Sequence, residues 1–360
     1  MRAQHVSALS VRSFRNIAQA DVSLGPRFNV VSGDNGQGKT SLLEAVYVAL
    51  TSRSFRATKI EESIAFGATQ ALVRARIDSD DGARWQSVGL RRGGRDLRLD
   101  DKRPRSSSEF ATRAPVVVFH PGEISLSAGS GAERRRLLDR VALFSSPSAG
   151  DELARYTRAV RSRQAALESR GAGSSDLGEW EELSAVHGAR VVEARRRALA
   201  ALAEVAQSTF GELLPEVRFD LVYSATAPSD VADFASELRR SRSIDVRRGS
   251  ASIGPHRDDL RLELGGKASR RTASQGQHRA IVLSLKMAEL AAVGALSSLR
   301  PVLLLDDVSS ELDRARSTAL FSLLSRASGQ VLLSTTRPEI IETTGDRVDF
   351  VVRAGAISPL

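Results

Sequence analysis

Short apolar segments separated by polar turns occupy the first third of the chain, which is the pattern of β-strands. Residues 6–11 alternate in polarity, residues 28–31 form a continuous apolar run, and residues 41–50 follow with the period of a helix. Further strand patterns lie at residues 71–77, 85–90, 96–99 and 115–119, with turn signals between them. This part of the chain therefore predicts an α/β unit.

A helical pattern rich in Ala, Arg, Glu and Leu extends from about residue 132 to about residue 207. Small residues at 171–175 interrupt it, which predicts an antiparallel hairpin of two long helices. We then expect a strand at 216–223, a helix at 229–243, and strands at 302–305 and 330–334 with a helix at 315–326 between them. The predicted domains are an ATPase-like α/β domain of residues 1–125 and 250–360 and an inserted helical-arm domain of residues 126–249.

Composition adds a suggestion about partners and location. The 360 residues carry 52 Lys and Arg against 43 Asp and Glu, and this net charge of +9 fits either a polyanionic partner or ordinary solubility. Aromatic residues are only 5 %, so any DNA binding would depend on phosphate contacts and on salt. Because cysteine and a signal-peptide core are lacking and Lys286 and Glu289 interrupt the longest apolar helical stretch, we expect a cytoplasmic protein without a membrane span.

A glycine-rich loop between the strand at 28–31 and the helix at 41–50 matches the P-loop pattern G-x-x-x-x-G-K-[ST]. Glycines allow backbone N–H groups to wrap a phosphate chain, and the helix N-terminus adds a favourable dipole. Lys39 is predicted to reach the β- and γ-phosphates of ATP and Thr40 to hold Mg²⁺, a pairing shared by many unrelated enzymes. The predicted ATP-binding residues here are Gly33, Asp34, Asn35, Gly36, Gln37, Gly38, Lys39, Thr40 and Ser41.

The apolar strand at 302–305 ends in Asp306 and Asp307, which is a Walker B pattern. Asp306 is predicted to hold Mg²⁺, directly or through water, and Asp307 to polarise the attacking water. With Lys39, these are the predicted catalytic residues. The alternative is an ordinary buried strand with solvated acids at its end. Because ABC ATPases usually carry Glu at the second position, the shorter Asp307 predicts slow hydrolysis.

A second anion site is predicted at the start of the helix at 278–292. Its candidate residues, which are similar to an ABC signature, are Ser274, Gln275, Gly276 and Gln277. Such a site would cap the γ-phosphate of ATP held by another copy, and the alternative is a plain helix N-cap. The ABC order of motifs is completed by D-loop candidates Ser310, Glu311 and Asp313 and by Ser334, Thr335 and Thr336 at the switch-loop position, where histidine is usual.

Nearly the whole chain resembles the RecF family. Besides the signature and Walker B residues, the resemblance rests on Phe14-Arg15-Asn16 and on residues 52–56, 133–139 and 254–260, the last reading Gly-Pro-His-Arg-Asp-Asp-Leu. It implies an α/β fold, namely an ABC-type, SMC-head-like P-loop ATPase domain with an inserted helical arm. It also implies that Arg15 and Asn16 lie near the nucleotide. Where the family often has Pro-Glu-Asp, this chain has His120 to Glu123 and no Q-loop glutamine.

The resemblance further implies an ATP-dependent homodimer that binds duplex DNA and junctions of single- and double-stranded DNA and loads RecA with RecR and RecO. An ABC-transporter ATPase and a non-enzymatic ATP-gated clamp are the alternatives. The missing coupling-loop glutamine and switch histidine argue against a transporter.

Pro255, His256 and Arg257 are predicted to form either a charged turn or a contact with a phosphate or with the dimer partner. Basic clusters that are either DNA contacts or solvated faces lie at residues 91–105, 134–136, 195–197 and 239–248.

Overall fold

A computed structural model describes residues 1–146, 148–307, 329–341, 343 and 345–360 of the chain. Its strands are β1 Gln4–Phe14, β2 Ile17–Ser23, β3 Phe28–Ser32, β4 Gln70–Ser79, β5 Gly82–Arg91, β6 Gly94–Leu99, β7 Val116–Phe119, β8 Phe219–Ser224, β9 Asp259–Leu264, β10 Lys267–Ala268, β11 Val302–Leu305, β12 Val331–Thr335, β13 Arg347–Arg353 and β14 Ala356–Pro359. Its helices are α1 Lys39–Thr51, α2 Ser107–Thr112, α3 Ser125–Ala128, α4 Gly131–Ser145, α5 Ala149–Arg170, α6 Leu177–Leu213, α7 Val231–Arg240, α8 Arg242–Arg248, α9 Ser269–Thr272 and α10 Gln275–Ser297. The helix predicted at 315–326 lies outside the described residues.

A six-stranded sheet in the order β14-β13-β3-β12-β11-β7 carries the P-loop. All of its strands run parallel except β14, which pairs antiparallel with β13 at the edge. Every residue of β3, β11 and β12 is buried, which explains their continuous apolar runs. Because the strands are parallel, the segments that follow β3, β7, β11 and β12 leave the sheet at one edge, where α/β proteins commonly bind ligands.

An antiparallel sheet in the order β2-β1-β4-β5-β6 faces the same core. Residues of β4 alternate between buried and exposed, as expected when only one face is covered. Helix α1 packs against strands of both sheets, and its residues Leu42 to Leu50 are buried on all sides. This contact with two sheets explains why α1 is apolar from Leu42 to Leu50 except for Glu44.

The chain divides into two compact units at boundaries that differ in part from the expected domains. The first unit is Met1–Glu123 with Val293–Leu360, and the second is Ile124–Ala292. The second unit thus extends beyond the expected end at residue 249 because β9 pairs with β8 and β10 in a three-stranded sheet. Hydrogen bonding to β8 therefore joins residues 259–268 to the helical unit.

Helices α5 and α6 of the second unit form the predicted antiparallel hairpin, and residues 171–176 separate them. One apolar cluster of this unit centres on Tyr156 and Phe234. A buried ion pair network adds to it, because Arg163 contacts Glu181 at 3.3 Å and Asp245 at 2.7 Å with all three side chains inaccessible. The hairpin is therefore fixed by charges as well as by apolar packing.

Helix α10 is long and apolar enough to cross a membrane, but 72 % of its apolar stretch is buried inside the protein. The buried side chains of Lys286 and Glu289 form an ion pair within it. These are features of a core helix.

Candidate functional site

The P-loop joins the end of β3 to the start of α1 and depends on two tightly packed glycines. Gly33 and Gly38 have φ angles of 143° and 120°, a region that side chains rarely adopt. A Cβ on Gly33 would lie 2.5 Å from the carbonyl oxygen of Val352, and one on Gly38 would lie 2.9 Å from Nδ2 of Asn16. Among the residues that the structure describes, none caps the N-terminus of α1 with a side-chain hydrogen bond. Its first N–H groups therefore remain available to an anion.

Lys39 folds back over this loop. Its Nζ donates to the carbonyl oxygens of Gly33 at 2.6 Å and Asp34 at 2.9 Å, and the residue is buried. An ammonium group held above a ring of backbone N–H groups is suited to phosphate.

The carboxylate of Asp306 meets the P-loop at the sheet edge. Because β12 lies between β3 and β11, the ends of these three strands are close together. The hydroxyls of Thr40 and Ser334 each donate to Oδ1 of Asp306 at 2.8 Å. The Ser334 hydroxyl also accepts from the backbone N–H of Asp307 at 2.9 Å. The structure thus brings Thr40 and Asp306 together as expected, with Ser334 as an additional member that was predicted only as part of the switch loop.

The surroundings of Asp306 suit a bound cation. Burial raises the pKa of Asp306 above its ordinary value, although hydrogen bonds from Ser334 and Thr40 and the charge of Arg56 act in the opposite direction. A buried carboxylate beside a hydroxyl is a typical oxygen donor pair for Mg²⁺, which completes its coordination with water and substrate phosphate. Thr40 and Asp306 therefore fit the predicted metal role.

Asp307 follows in a left-handed conformation with a φ of 50°. Its backbone is fixed by Ser334, and the chain beyond it leaves the described residues. The D-loop candidates Ser310, Glu311 and Asp313 accordingly lie outside the part of the chain that the structure describes.

Arg15 and Asn16 occupy the turn between β1 and β2 and have different contacts. Asn16 Nδ2 donates to the carbonyl oxygen of Gln37 in the P-loop at 3.0 Å. Arg15 instead makes a two-point contact with the buried carboxylate of Glu44 on α1, at 2.9 and 2.7 Å. Asn16 thus touches the nucleotide loop directly, whereas the described contacts of Arg15 support helix α1.

Residues 52–56, one of the segments that carry the family resemblance, follow α1 and contact its Glu44. The Ser54 hydroxyl donates to Glu44 at 2.5 Å, and Arg56 lies 3.3 Å from the same carboxylate. Phe55 stacks on His120 with ring centroids 5.2 Å apart. His120 follows β7 directly beside Walker B, since Phe119 pairs with Leu305. An aromatic stack thus occupies the position at which the family resemblance would place a Q-loop.

The signature candidate forms a reciprocal cap at the start of α10. The Ser274 hydroxyl accepts from the N–H of Gln277 at 3.2 Å, and the Gln277 side chain accepts from the N–H of Ser274 at 2.8 Å. This is a capping box. Ser274 and Gln275 are exposed, and Gly276 is half-buried. The capping alternative is therefore observed, and it leaves the serine hydroxyl hydrogen free for an anion.

Residues 254–260 form a hydrogen-bonded framework within the second unit. Asp258 is fully buried and accepts from the N–H and hydroxyl of Thr226 at 2.8 and 2.9 Å. His256 Nδ1 lies 2.6 Å from the hydroxyl of Tyr156 on α5. These contacts make the segment a structural joint between the arm helices and β9.

Two of the arginines in the predicted basic clusters are buried. Arg134 pairs with Asp259 at 2.8 and 2.9 Å, and Arg195 pairs with Asp139 at 2.7 and 3.0 Å. Less than 5 % of either residue is exposed. The prediction that they are surface contacts was therefore wrong, because sequence cannot distinguish a buried arginine with a distant partner from a solvated one.

The exposed residues of the predicted basic clusters fall into two groups. Some have nearby carboxylates, as in the pairs of Arg98 with Asp96 and Arg197 with Glu193. Others form no ion pair with the described residues. This second group comprises Arg91, Arg92, Lys102, Arg105, Arg196, Arg247 and Arg248, to which α5 adds Arg155, Arg158 and Arg161.

Comparison with known proteins decides the family. Residues 5–357 match the family model described as RecF/RecN/SMC N terminal domain. The DNA replication and repair protein RecF of Anaeromyxobacter dehalogenans strain 2CP-C is 38 % identical over 371 residues, covering 98 % of each chain. The chain is a member of the RecF family. RecF of Geobacter sulfurreducens is 36 % identical over 367 residues, covering 99 % of this chain and 100 % of that relative.

Solved structures agree with RecF membership. The recombination mediator protein RecF with ATP, from the RecFOR pathway, superimposes with a TM-score of 0.91 at 27 % identity over 99 % of this chain and 98 % of that one. An SMC head bound to the C-terminal winged-helix domain of ScpA gives a TM-score of 0.58 at 15 % identity over 99 % of this chain and 97 % of that one, which shows the fold alone. The fold is thus the ABC-type, SMC-head-like ATPase fold with a helical arm, and a transporter ATPase is not favoured.

Proposed function

We propose that this RecF-family chain is an ATP-dependent DNA-binding protein of recombinational repair that pairs with a second copy when ATP binds. Its proposed role is to help load RecA, together with RecR and RecO, in the cytoplasm. The observation that carries the proposal is the hydrogen-bonded group of Thr40, Asp306 and Ser334 beside the P-loop, in a chain that matches RecF proteins over its full length.

Each residue of the proposed nucleotide site has its own role in binding or hydrolysing ATP. The backbone N–H groups of residues 33–41 surround the phosphates, and Lys39 exchanges its contacts with Gly33 and Asp34 for phosphate oxygens. Thr40 and Asp306 hold Mg²⁺, which neutralises phosphate charge when bound. Asp307 orients the attacking water. Because Asp307 is one methylene shorter than the usual glutamate, we propose that hydrolysis is slow until the site closes.

The second wall of the site comes from another copy. Ser274 is exposed, and its hydroxyl accepts from Gln277, so it retains its hydrogen for a γ-phosphate oxygen. The N–H of Gly276 in the first turn of α10 adds a second donor. These groups lie in a different compact unit from the P-loop. ATP bound at the P-loop of one copy and capped by Ser274 and Gly276 of another would join the two chains.

DNA contacts are proposed for the exposed arginines that lack a carboxylate partner. Arg155, Arg158 and Arg161 follow one another at three-residue spacing on α5, and Arg247 and Arg248 end helix α8, which packs on α5. No described carboxylate pairs with these five side chains. Phosphate contacts of this kind position a protein without reading sequence.

A DNA-retention assay tests this function. With ATP, retention of a gapped duplex should fall steeply as salt rises, by about 10³-fold between 50 and 200 mM for six or more phosphate contacts. Lys39→Ala should abolish the ATP dependence, and phosphate release measured in the same samples should be slow without DNA. Salt-independent retention would contradict the DNA proposal. Rapid hydrolysis without DNA would contradict the role given to Asp307.

A further inference from the structure

The P-loop residue Gln37 is held by a turn at the far end of the chain. The backbone N–H of Ala354 donates to Gln37 Oε1 at 2.6 Å, and the N–H of Gly355 donates to the Gln37 carbonyl oxygen at 2.8 Å. Asn16 Nδ2 donates to the same carbonyl oxygen. Three hydrogen bonds from two separate turns therefore converge on one residue of the phosphate-binding loop.

The turn that supplies two of these donors joins β13 to β14. Ala354 and Gly355 have φ angles of 48° and 81°, as in the tight turns that suit the twist of a hairpin. Ala354 holds this conformation at a cost, since residues with a side chain disfavour it. The hairpin is placed by β13, which pairs parallel with β3, the strand that leads into the P-loop.

Packing at this turn leaves no room for a side chain at Gly355. A Cβ on Gly355 would lie 2.1 Å from the carbonyl oxygen of Asn16, which in turn contacts the P-loop. Gly33 at the start of the P-loop is packed in the same way against β13, because a Cβ there would lie 2.5 Å from the carbonyl oxygen of Val352. The P-loop is thus enclosed between the β1–β2 turn and the C-terminal hairpin.

We infer that Ala354 and Gly355 are positioning residues for nucleotide binding that act through Gln37. A loop that binds phosphate with its backbone N–H groups has high affinity only if these groups are already oriented. The hairpin turn supplies that orientation by fixing both the side chain and the carbonyl of Gln37. This inference rests on the proposed nucleotide site at residues 33–40.

Gly355→Ala tests the inference, with Gly93→Ala as the matched control. Gly93 lies in the β5–β6 turn with a φ of 85°, and its added Cβ would meet nothing within 4 Å. Both variants carry the same left-handed strain, but only Gly355→Ala displaces the contacts of Gln37. Titration with a fluorescent ATP analogue should show affinity about tenfold weaker for Gly355→Ala and changed less than about twofold for Gly93→Ala. The KM for ATP should rise with little change in kcat, as expected when uniform binding is lost.

Equal nucleotide affinities of the two glycine variants would overturn the inference. If Gly355→Ala does not fold, Gln37→Ala removes the acceptor for Ala354 alone and should weaken binding about threefold, and unchanged affinity would overturn the inference. A wild-type protein that fails to bind the analogue would instead refute the proposed nucleotide site.

Discussion

At the scale of single residues, Glu44 on α1, the helix that follows the P-loop, makes several side-chain contacts. Its buried carboxylate contacts Arg15, Ser54, Arg56 and Ser63. Burial raises its pKa, but these hydrogen bonds and the charges of both arginines outweigh that effect, so the pKa is lowered overall. Glu44 therefore joins two segments that carry the family resemblance to the helix that follows the P-loop.

Glu44→Gln should destabilise the protein by about 3 kcal/mol at pH 7, since it removes the charge that balances two arginines. A depressed folded-state pKa gives stability that is present above the unfolded pKa and is lost as the pH falls through the folded value. The difference between wild type and variant should therefore shrink below the ordinary pKa of 4.5. Urea unfolding at several pH values measures it, with the exposed Glu62→Gln as the control. A difference independent of pH would contradict this account.

At the scale of elements, the α5–α6 hairpin depends on Arg163 and its carboxylate partners. Glu181 also receives a two-point contact from Arg242, and Asp245 is bonded by the hydroxyl of Ser241. The contacts of Arg163 and Arg242 with these carboxylates join residues that are at least 18 positions apart in sequence. Removal of the central cation would leave two buried carboxylates only partly compensated.

Arg163→Ala should accordingly cost about 3–5 kcal/mol of unfolding free energy. Arg161→Ala, two residues earlier on the exposed side of α5, should change stability by less than about 0.5 kcal/mol. Chemical denaturation of both variants makes the comparison. Similar values for the two would mean that the buried network does not hold the hairpin.

The sequence predicted those parts of the site that are contiguous or strongly periodic. The P-loop and the Walker B strand are of this kind, and the structure places them as expected. The bridge from Ser334 to Asp306 was not predicted because it depends on β12 lying between β3 and β11. The contacts of Gln37 with Ala354 and Gly355 escaped prediction for the same reason, since no local pattern marks a partner so far along the chain.

Residues 250–292 show the limit of local reasoning for domains. They were expected to belong to the ATPase-like α/β domain of residues 1–125 and 250–360. In the structure, β9 pairs with β8, so these residues belong to the helical unit. Strand pairing, rather than local composition, decides which unit a segment joins.

At the scale of the whole molecule, the proposed ATP site is shared by two copies. Residues 33–40 supply the loop, and the exposed Ser274 at the start of α10 supplies the cap. An isolated chain would then bind ATP without closing the site. Turnover, DNA binding and dimerisation would all depend on the same nucleotide.

Sedimentation velocity of the wild type and of Ser274→Arg, with and without ATP, tests this claim most directly. Ser208→Arg adds the same charge at an exposed position of α6 and serves as the control. If the site is shared, ATP should convert the wild type and Ser208→Arg to dimers, while Ser274→Arg should bind ATP but remain a monomer. A Ser274→Arg protein that dimerises with ATP as readily as the wild type would contradict the shared site.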